Sequence, residues 1–364
     1  MKKKLIIITT GGTGGHIFPA ESFASEMLKT DYSLAFITDK RGKKMTGTLS
    51  SLPTYYVSSE SVTGKAFFQK AIAAFKLLFG FIQSLILLVR LRPVLVIGFG
   101  GYASIPATLA AQFLHIPVAL HEQNAILGRA NRLLARRTVL IATSFTPTQR
   151  IPDGSHIVQT GMPVRPQIAQ KAQTPYPTDT STFNLLIFGG SQGAKAFSDL
   201  VPKAVNMLSP QLKAKLSITQ QVRAEDMEKV KEEYRNSGIK HIQLSPFFDN
   251  MPDLIAQSHL IISRSGSSSL IEFSTIGRPA LLIPLPTAAD DHQTANAKIW
   301  TADGSGWLMV EKAITPEILS ARIAELIENP EVLQTAAQHI INKPIQNAGL
   351  LLAEEITNLL KEKK

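Results

Sequence analysis

The sequence predicts an α/β protein built from two Rossmann-like domains that face one another across a ligand-binding cleft. Three observations predict it: the length, the rhythm of short apolar runs, and a proline-rich break near the middle. At 364 residues the chain exceeds what one hydrophobic core usually supports, so two domains are expected. Short β-branched runs at residues 5–10, 94–98, 117–121, 185–189, 260–263 and 280–284 each precede an amphipathic stretch, the alternation of a parallel sheet with crossover helices. Between the two sets, residues 161–183 carry Gly-Met-Pro-Val-Arg-Pro and then Thr-Pro-Tyr-Pro, which interrupts regular structure and reads as the linker. The predicted domains are therefore 1–162 and 163–343, and the tail 344–364 is a helix that packs back across the hinge.

Composition bounds the class. With 44% hydrophobic and 18% charged residues the chain is ordinary for a globular protein, and the absence of cysteine excludes disulfides and thiolate metal sites. The start, Met1-Lys2-Lys3-Lys4 and then Leu5 to Ile8, has the charge of an export signal. Its apolar run ends at Thr9, too short for that role, and a buried parallel strand explains it better. The formal charge of +10 is unevenly spread: residues 1–164 hold 18 Lys and Arg against 7 Asp and Glu, while the rest holds 20 against 21. A basic first half calls for an anionic partner, and without an aromatic stacking motif that partner is not nucleic acid.

Three glycine loops follow predicted strands: Gly11-Gly12-Thr13-Gly14-Gly15-His16, Gly98-Phe99-Gly100-Gly101-Tyr102, and Gly189-Gly190-Ser191-Gln192-Gly193. Glycine lets backbone approach an anion, and the free N–H groups of a following helix attract it. A tight turn explains any one of them equally well. Three at corresponding strand ends favour a diphosphate-bearing ligand. None has the Gly-Lys-Ser/Thr of a P-loop, and the dinucleotide fingerprint fits none of them.

Two further segments carry chemistry. Residues 263–272 contain Ser265, Ser267, Ser268 and Ser269 around a predicted helix start, with Leu270, Ile271 and Glu272 following. The serines supply cap groups for a phosphate, and Glu272, one turn beyond Ser268, suits a pair of ribose hydroxyls. An ordinary capped helix with a solvated glutamate is the alternative. Residues 290–297, Asp290-Asp291-His292-Gln293-Thr294-Ala295-Asn296-Ala297, gather groups suited to sugar hydroxyls; with no second cluster at ligand spacing, no metal site is expected.

Residues 66–92, from Ala66 to Arg92, combine Phe67, Phe68, Phe75, Phe79 and Phe81 and many aliphatic residues with Lys70, Lys76, Arg90 and Arg92. Lys76 and Gln83 break the run short of the ~18 uncharged residues of a spanning helix, and the mix suits binding to an anionic membrane surface. Core-packed helices with snorkelling cations are the alternative.

Taken together, Gly-Gly-Thr-Gly-Gly-His-Ile-Phe-Pro-Ala at 11–20, Gly-Phe-Gly-Gly-Tyr at 98–102, His-Glu-Gln-Asn at 121–124, Gly-Met-Pro-Val-Arg at 161–165 and Gly-Gly-Ser-Gln-Gly-Ala at 189–194 closely resemble the MurG family. These are the N-acetylglucosaminyltransferases of glycosyltransferase family 28, which convert lipid I to lipid II in bacterial peptidoglycan synthesis. The resemblance spans nearly the whole chain. It implies the GT-B architecture, inversion at the anomeric carbon, UDP-GlcNAc as donor, undecaprenyl-linked lipid I as acceptor, no required cofactor, and a peripheral location on the cytoplasmic face of the plasma membrane. The donor site it implies comprises Thr13, Gly14, Gly15, Asn124, Arg165, Gly190, Ser191, Gln192, Phe248, Ser267, Ser268, Ser269, Leu270, Ile271, Glu272 and Gln293. Gly100, Gly101, Tyr102, His121 and Asn131 would meet the acceptor. The chain departs from the family at Ile105, often glycine, and at His292, often glutamine.

Such a transfer needs a base for the acceptor hydroxyl. His16, at the end of the first loop, is the first candidate and Glu122 the rival. Another UDP-sugar enzyme of the same fold, such as a UDP-GlcNAc 2-epimerase, and a non-catalytic nucleotide-sugar-binding module are the alternative readings. The hydrophobic-basic segment argues against an epimerase of soluble sugars.

Overall fold

A computed structural model describes residues 3–11, 14–44, 47–60, 67–190, 193–343 and 347–362. The chain divides into two compact units, Met1–Arg165 with Gln346–Lys364, and Pro166–Ile345. The first contains a seven-stranded sheet in the order β3-β2-β1-β4-β5-β6-β7. Its strands are β1 (Lys4–Thr9), β2 (Tyr32–Thr38), β3 (Thr54–Tyr56), β4 (Leu95–Gly98), β5 (Val118–Glu122), β6 (Leu140–Thr143) and β7 (Ile157–Gln159). The second contains six strands ordered β10-β9-β8-β11-β12-β13: β8 (Phe183–Phe188), β9 (Leu216–Gln221), β10 (His241–Ser245), β11 (Leu260–Ser263), β12 (Ala280–Leu282) and β13 (Gly306–Leu308). Every named pairing is parallel.

Strand alternation builds both faces of the first sheet from one apolar run. Ile6 and Ile8 join Phe23, Ala24 and Met27 of helix α1 (Gly14–Met27) and Leu352 and Ile356 of the C-terminal helix Ala348–Glu362. Ile7 points the other way, to Leu88 of α2 (Phe67–Leu91) and Ala107, Ala110 and Ala111 of α3 (Ile105–Phe113). Each such isoleucine contributes roughly 1.5–3 kcal/mol on burial. The C-terminal helix lies so close to α1 that a Cβ on Gly349 would stand 2.3 Å from Ser22 Oγ.

Both sheets reverse strand order once, between β1 and β4 and between β8 and β11. Crossovers leave in opposite directions there, which opens a crevice at the carboxyl ends of the two strands. The three glycine loops follow β1, β4 and β8, and the serine-rich segment follows β11. All four therefore flank the reversal points of their own units.

Several local expectations are corrected. Helix α1 starts at Gly14, within the first glycine loop, so His16 stands not at a loop end but in the first turn of the helix, where backbone N–H groups lack intrahelical partners. Residues from Pro166 onward belong to the second unit rather than to a free linker. The buried Arg278 guanidinium donates to the carbonyls of Thr174 (2.8 Å), Pro175 (2.8 Å) and Ala256 (2.6 Å), and Tyr176 Oη donates to His259 O at 2.9 Å. These bonds strap the segment down.

Within residues 66–92, Ala66 lies outside the described residues, and 67–91 form one continuous helix. By length and composition alone, Ala71–Leu91 could cross a bilayer. Yet Ala73, Gly80, Ser84 and Leu88 are buried, with Ala73 and Leu88 set in the core, while Ile72, Phe75, Phe79, Ile82, Ile86 and Val89 form an exposed stripe at helical spacing. Gly80 admits the close approach: a Cβ there would sit 1.8 Å from Ser58 O.

Candidate active site

At the reversal point of the first unit, the turn after β4 wraps the His16 imidazole. Gly100 and Gly101 have φ of +86° and +75°, conformations that favour glycine. A Cβ on Gly100 would stand 3.1 Å from His16 Nδ1, and one on Gly101 would stand 2.5 Å from Gly11 O. The two glycines, expected to touch acceptor, thus make room for the imidazole and the first loop. His16 Nδ1 lies 2.9 Å from Gln123 Oε1, and Thr10 Oγ1 donates to His16 O at 3.2 Å. Among the described residues none bonds His16 Nε2.

Strand β5 ends at Glu122, and its side chains alternate. His121 is fully buried: its Nε2 faces Gly161 O at 3.0 Å and its Nδ1 faces Gln123 Nε2 at 3.0 Å. Direct contact with a bound acceptor, expected for His121, is closed off by this burial. Glu122, only 2% exposed, points the other way. Its Oε1 accepts from Asn124 N (3.0 Å) and Asn124 Nδ2 (3.2 Å), and its Oε2 from Gly128 N and Asn131 Nδ2, both at 2.8 Å. The carboxylate is the knot of the loop 122–131. Asn131 is 2% exposed and also donates to His121 O at 3.2 Å, so it holds the same loop from below. Tyr102 is half-buried in the second turn.

Burial lowers the His121 pKa from 6.5 to about 4; the Gly161 hydrogen bond opposes the shift and the charge of His16 adds to it. The folded value lies below the unfolded one, so the unfolded chain takes the proton first as pH falls. Stability present above pH 6.5 is lost between 6.5 and about 4. The loss from this group is expected to reach about 3 kcal/mol at most. Urea unfolding from pH 7 to 4.5 measures it, as the part of the pH slope that disappears in His121→Asn.

In the second unit the carboxyl ends of β8 to β12 share one rim. Gly190 has φ +85°, Gly193 N donates to Gly190 O at 3.0 Å, and a Cβ on Gly189 would lie 2.4 Å from Ala194 N. The helix Lys195–Asn206 that follows has no side-chain cap. After β11, the helix Ser267–Ile276 opens at Ser267, not Ser268, and its cap is Gly266, not a serine. Its first-turn N–H groups are therefore not occupied by a capping side chain. Ser267 is buried, Ser268, Ser269 and Ile271 are half-buried, and Leu270 is wholly inside the core, able to offer a ligand only backbone. Glu272 is 8% exposed, which excludes a solvated glutamate.

Gln293, expected at the sugar, is tied into the fold. Its Oε1 accepts from Ser265 N at 3.3 Å and Leu285 N at 3.0 Å, and Ser265 Oγ donates to its carbonyl at 2.8 Å. Only its Nε2, unbonded among the described residues, is left to turn outward. Asp291 Oδ1 accepts from Thr294 Oγ1 at 2.6 Å, and His292 Nδ1 lies 2.8 Å from Ala289 O, so these groups serve the helix start. Among the described residues no cluster of three or more His, Cys, Asp or Glu could hold a metal. Phe248, after β10, is buried while Phe247 is 65% exposed.

Arg165 belongs to the first unit, its guanidinium 5.6 Å above the Phe18 ring of α1. Thr13, Ser191 and Gln192 lie outside the described residues; Gly14 and Gly15 open α1, and Asn124 is half-buried. Two groups received no role from the sequence. Arg264 donates to Ile283 O (3.0 Å) and Pro284 O (3.2 Å), and Gln123 ties His16 to His121. Alternation past β5 was the one available signal for Gln123, since it places 121 and 123 on the same side.

The glycosyltransferase family 28 N-terminal domain matches residues 6–143, and the C-terminal domain of that family matches 184–349. A Rhodospirillum rubrum protein named UDP-N-acetylglucosamine--N-acetylmuramyl-(pentapeptide) pyrophosphoryl-undecaprenol N-acetylglucosamine transferase is 45% identical over 97% of this chain and 91% of its own. A Paramagnetospirillum magneticum protein of the same name is 43% identical over 99% and 98%. The crystal structure of Acinetobacter baumannii MurG superposes with a TM-score of 0.79 at 29% identity, covering 98% of this chain and 99% of that one. A Neisseria meningitidis UDP-GlcNAc 2-epimerase, at TM-score 0.64 and 16% identity over 99% of this chain and 100% of that one, shares the fold alone. On both domain matches and on end-to-end identity above 40%, the chain belongs to glycosyltransferase family 28.

Proposed function

We propose that this chain transfers N-acetylglucosamine, with inversion, from UDP-GlcNAc to the C4 hydroxyl of the N-acetylmuramyl unit of undecaprenyl-pyrophosphoryl-MurNAc-pentapeptide, lipid I, giving lipid II. The observation that carries it is the end-to-end correspondence with proteins bearing that activity in their names, at 45% and 43% identity. In the reaction the acceptor O4 bonds to the anomeric carbon, the bond from that carbon to the UDP oxygen breaks, and the O4 proton goes to His16 Nε2. Diphosphate charge grows at the other end. The glycine turn after β8 and the helix start at Ser267, with N–H groups not taken by a capping side chain, are suited to receive it. Glu272 takes the ribose hydroxyls, Phe248 the uracil edge through its backbone, and Gln293 the sugar through Nε2.

The test is direct. Radiolabelled UDP-GlcNAc incubated with a lipid I analogue is expected to give butanol-extractable label. Release of the free epimer would replace this reading with an epimerase, and neither product would leave only a binding module.

The same reading puts the enzyme at the cytoplasmic membrane face, held peripherally by α2. Phe75 (76% exposed), Phe79, Ile82, Ile86 and Val89 present one apolar stripe, Phe81 meets the exposed Phe113 of α3 edge-on at 6.0 Å, and nearby α4 (Arg129–Leu134) adds exposed Leu133. Arg136 and Arg137, both exposed, follow. Apolar side chains beside cations suit anionic lipid. Replacing Phe75, Phe79 and Ile86 with serine is expected to weaken sedimentation with phosphatidylglycerol vesicles by roughly tenfold or more, given about 1.4 kcal/mol per factor of ten. Wild-type protein that fails to sediment at moderate salt would remove the membrane assignment.

A further inference from the structure

We propose that Gln123 is a positioning residue that fixes His16 in the Nδ1–H tautomer and so leaves the Nε2 lone pair free for the acceptor hydroxyl. The inference rests on the reading of His16 as the base and goes further, because it states which ring nitrogen does the work and what selects it.

The orientation of the Gln123 amide follows from its surroundings. The side chain is 1% exposed. Its Nε2 lies 3.0 Å from Phe99 O and 3.3 Å from His121 O, both carbonyls that can only accept. The reversed amide would set oxygen against two carbonyl oxygens in a buried site, so the NH2 end must face them. Oε1 is thereby aimed at His16 Nδ1, 2.9 Å away. An acceptor facing Nδ1 requires a proton there, and a neutral imidazole with its proton on Nδ1 carries its lone pair on Nε2.

His121 reinforces the arrangement. Its Nε2 faces Gly161 O at 3.0 Å, which requires the proton on Nε2 and makes Nδ1 an acceptor for Gln123 Nε2 at 3.0 Å. Burial keeps His121 neutral at physiological pH, so that lone pair persists. The chain Gly161 O, His121, Gln123, His16 is then consistent in donor and acceptor at every link. The Gly100–Gly101 backbone closes on the imidazole, so ring rotation is restricted as well. A base pinned in both rotamer and tautomer loses little freedom on reaction.

The first measurement needs no activity. Long-range nitrogen–proton correlation spectra of uniformly 15N-labelled protein, with His16 assigned through His16→Gln, are expected to show the Nδ1–H tautomer of the neutral ring. An Nε2–H pattern in the wild type would overturn the proposal. Gln123→Leu is expected to shift His16 toward a mixture of tautomers and to lower kcat by roughly 10- to 100-fold, a part of what a general base contributes, with KM for UDP-GlcNAc changing less than twofold. In a His16→Ala background the same Gln123→Leu change is expected to cost less than a further threefold, since its effect runs through the imidazole. Equal losses in both backgrounds would overturn the proposal and leave Gln123 a packing residue. An inactive His16→Ala with the Nε2–H tautomer in wild type would sink this inference alone, whereas an active His16→Ala with Nδ1–H would sink the base reading alone.

Discussion

His16→Ala is expected to lower kcat by roughly 10²- to 10⁴-fold with UDP-GlcNAc saturating, while KM for the donor stays within a few-fold. The split follows from the geometry. The imidazole stands in the first turn of α1 with Nδ1 held by Gln123 and Nε2 unbonded among the described residues, so truncation removes a proton acceptor and little donor contact. Stability is expected to change modestly, because the ring is only partly buried. Initial rates of lipid II formation on a soluble lipid I analogue provide the measurement. A kcat near that of wild type would end the assignment of His16 as base.

The second large effect concerns Glu122, and it is expected in folding. Glu122→Ala removes the acceptor from Asn124 N, Asn124 Nδ2, Gly128 N and Asn131 Nδ2 in one step. With each buried donor left unsatisfied costing roughly 1–3 kcal/mol, a destabilisation of about 3–5 kcal/mol is expected after partial relaxation. Glu122→Gln, which keeps one acceptor oxygen, is expected to cost less. Urea unfolding monitored by tryptophan fluorescence and circular dichroism measures both. If Glu122→Ala were instead stable and lost kcat by two orders of magnitude, the base would be Glu122 and the loop bonds incidental.

The sequence put His16 ahead of Glu122 but left the rival open, for a physical reason. Both residues sit at or just past the end of a strand that reads as buried and parallel, and both types transfer protons. What separates them is saturation by neighbours: four donors converge on Glu122, whereas His16 keeps one nitrogen open. Those donors come from 124 and 128 in an irregular loop and from 131 in the helix Arg129–Leu134, a path that follows no periodicity. Gln293 shows the same limit. Its type suits a sugar, yet its oxygen joins the loops after β11 and β12 through Ser265 N and Leu285 N.

Other features were legible because local chemistry decides them. The run at 5–10 had to be a strand buried on both faces, since isoleucines at consecutive positions leave no polar side. The glycine turns were readable because Gly100, Gly101 and Gly190 adopt positive φ, which other residues rarely take. The start of α1 was not legible, because the helix begins inside the glycine loop at Gly14 and carries Pro19 in its interior. The stripe on α2 was only half legible: apolar residues on both faces look alike in sequence, and packing against β1 and α3 determined which became core.

The sequence by itself determined the α/β class, the glycine turns at the strand ends and membership of a transferase family, because strand burial, positive φ and motif order are local or linear properties. Only the tertiary structure decided that the turns flank the β1/β4 and β8/β11 reversal points, that Glu122 is consumed by its own loop, and that Gln123 faces His16 across more than a hundred residues of chain. Hydrogen-bond partners are selected by which groups the folded backbone brings within about 3 Å, and that distance bears no relation to separation along the sequence.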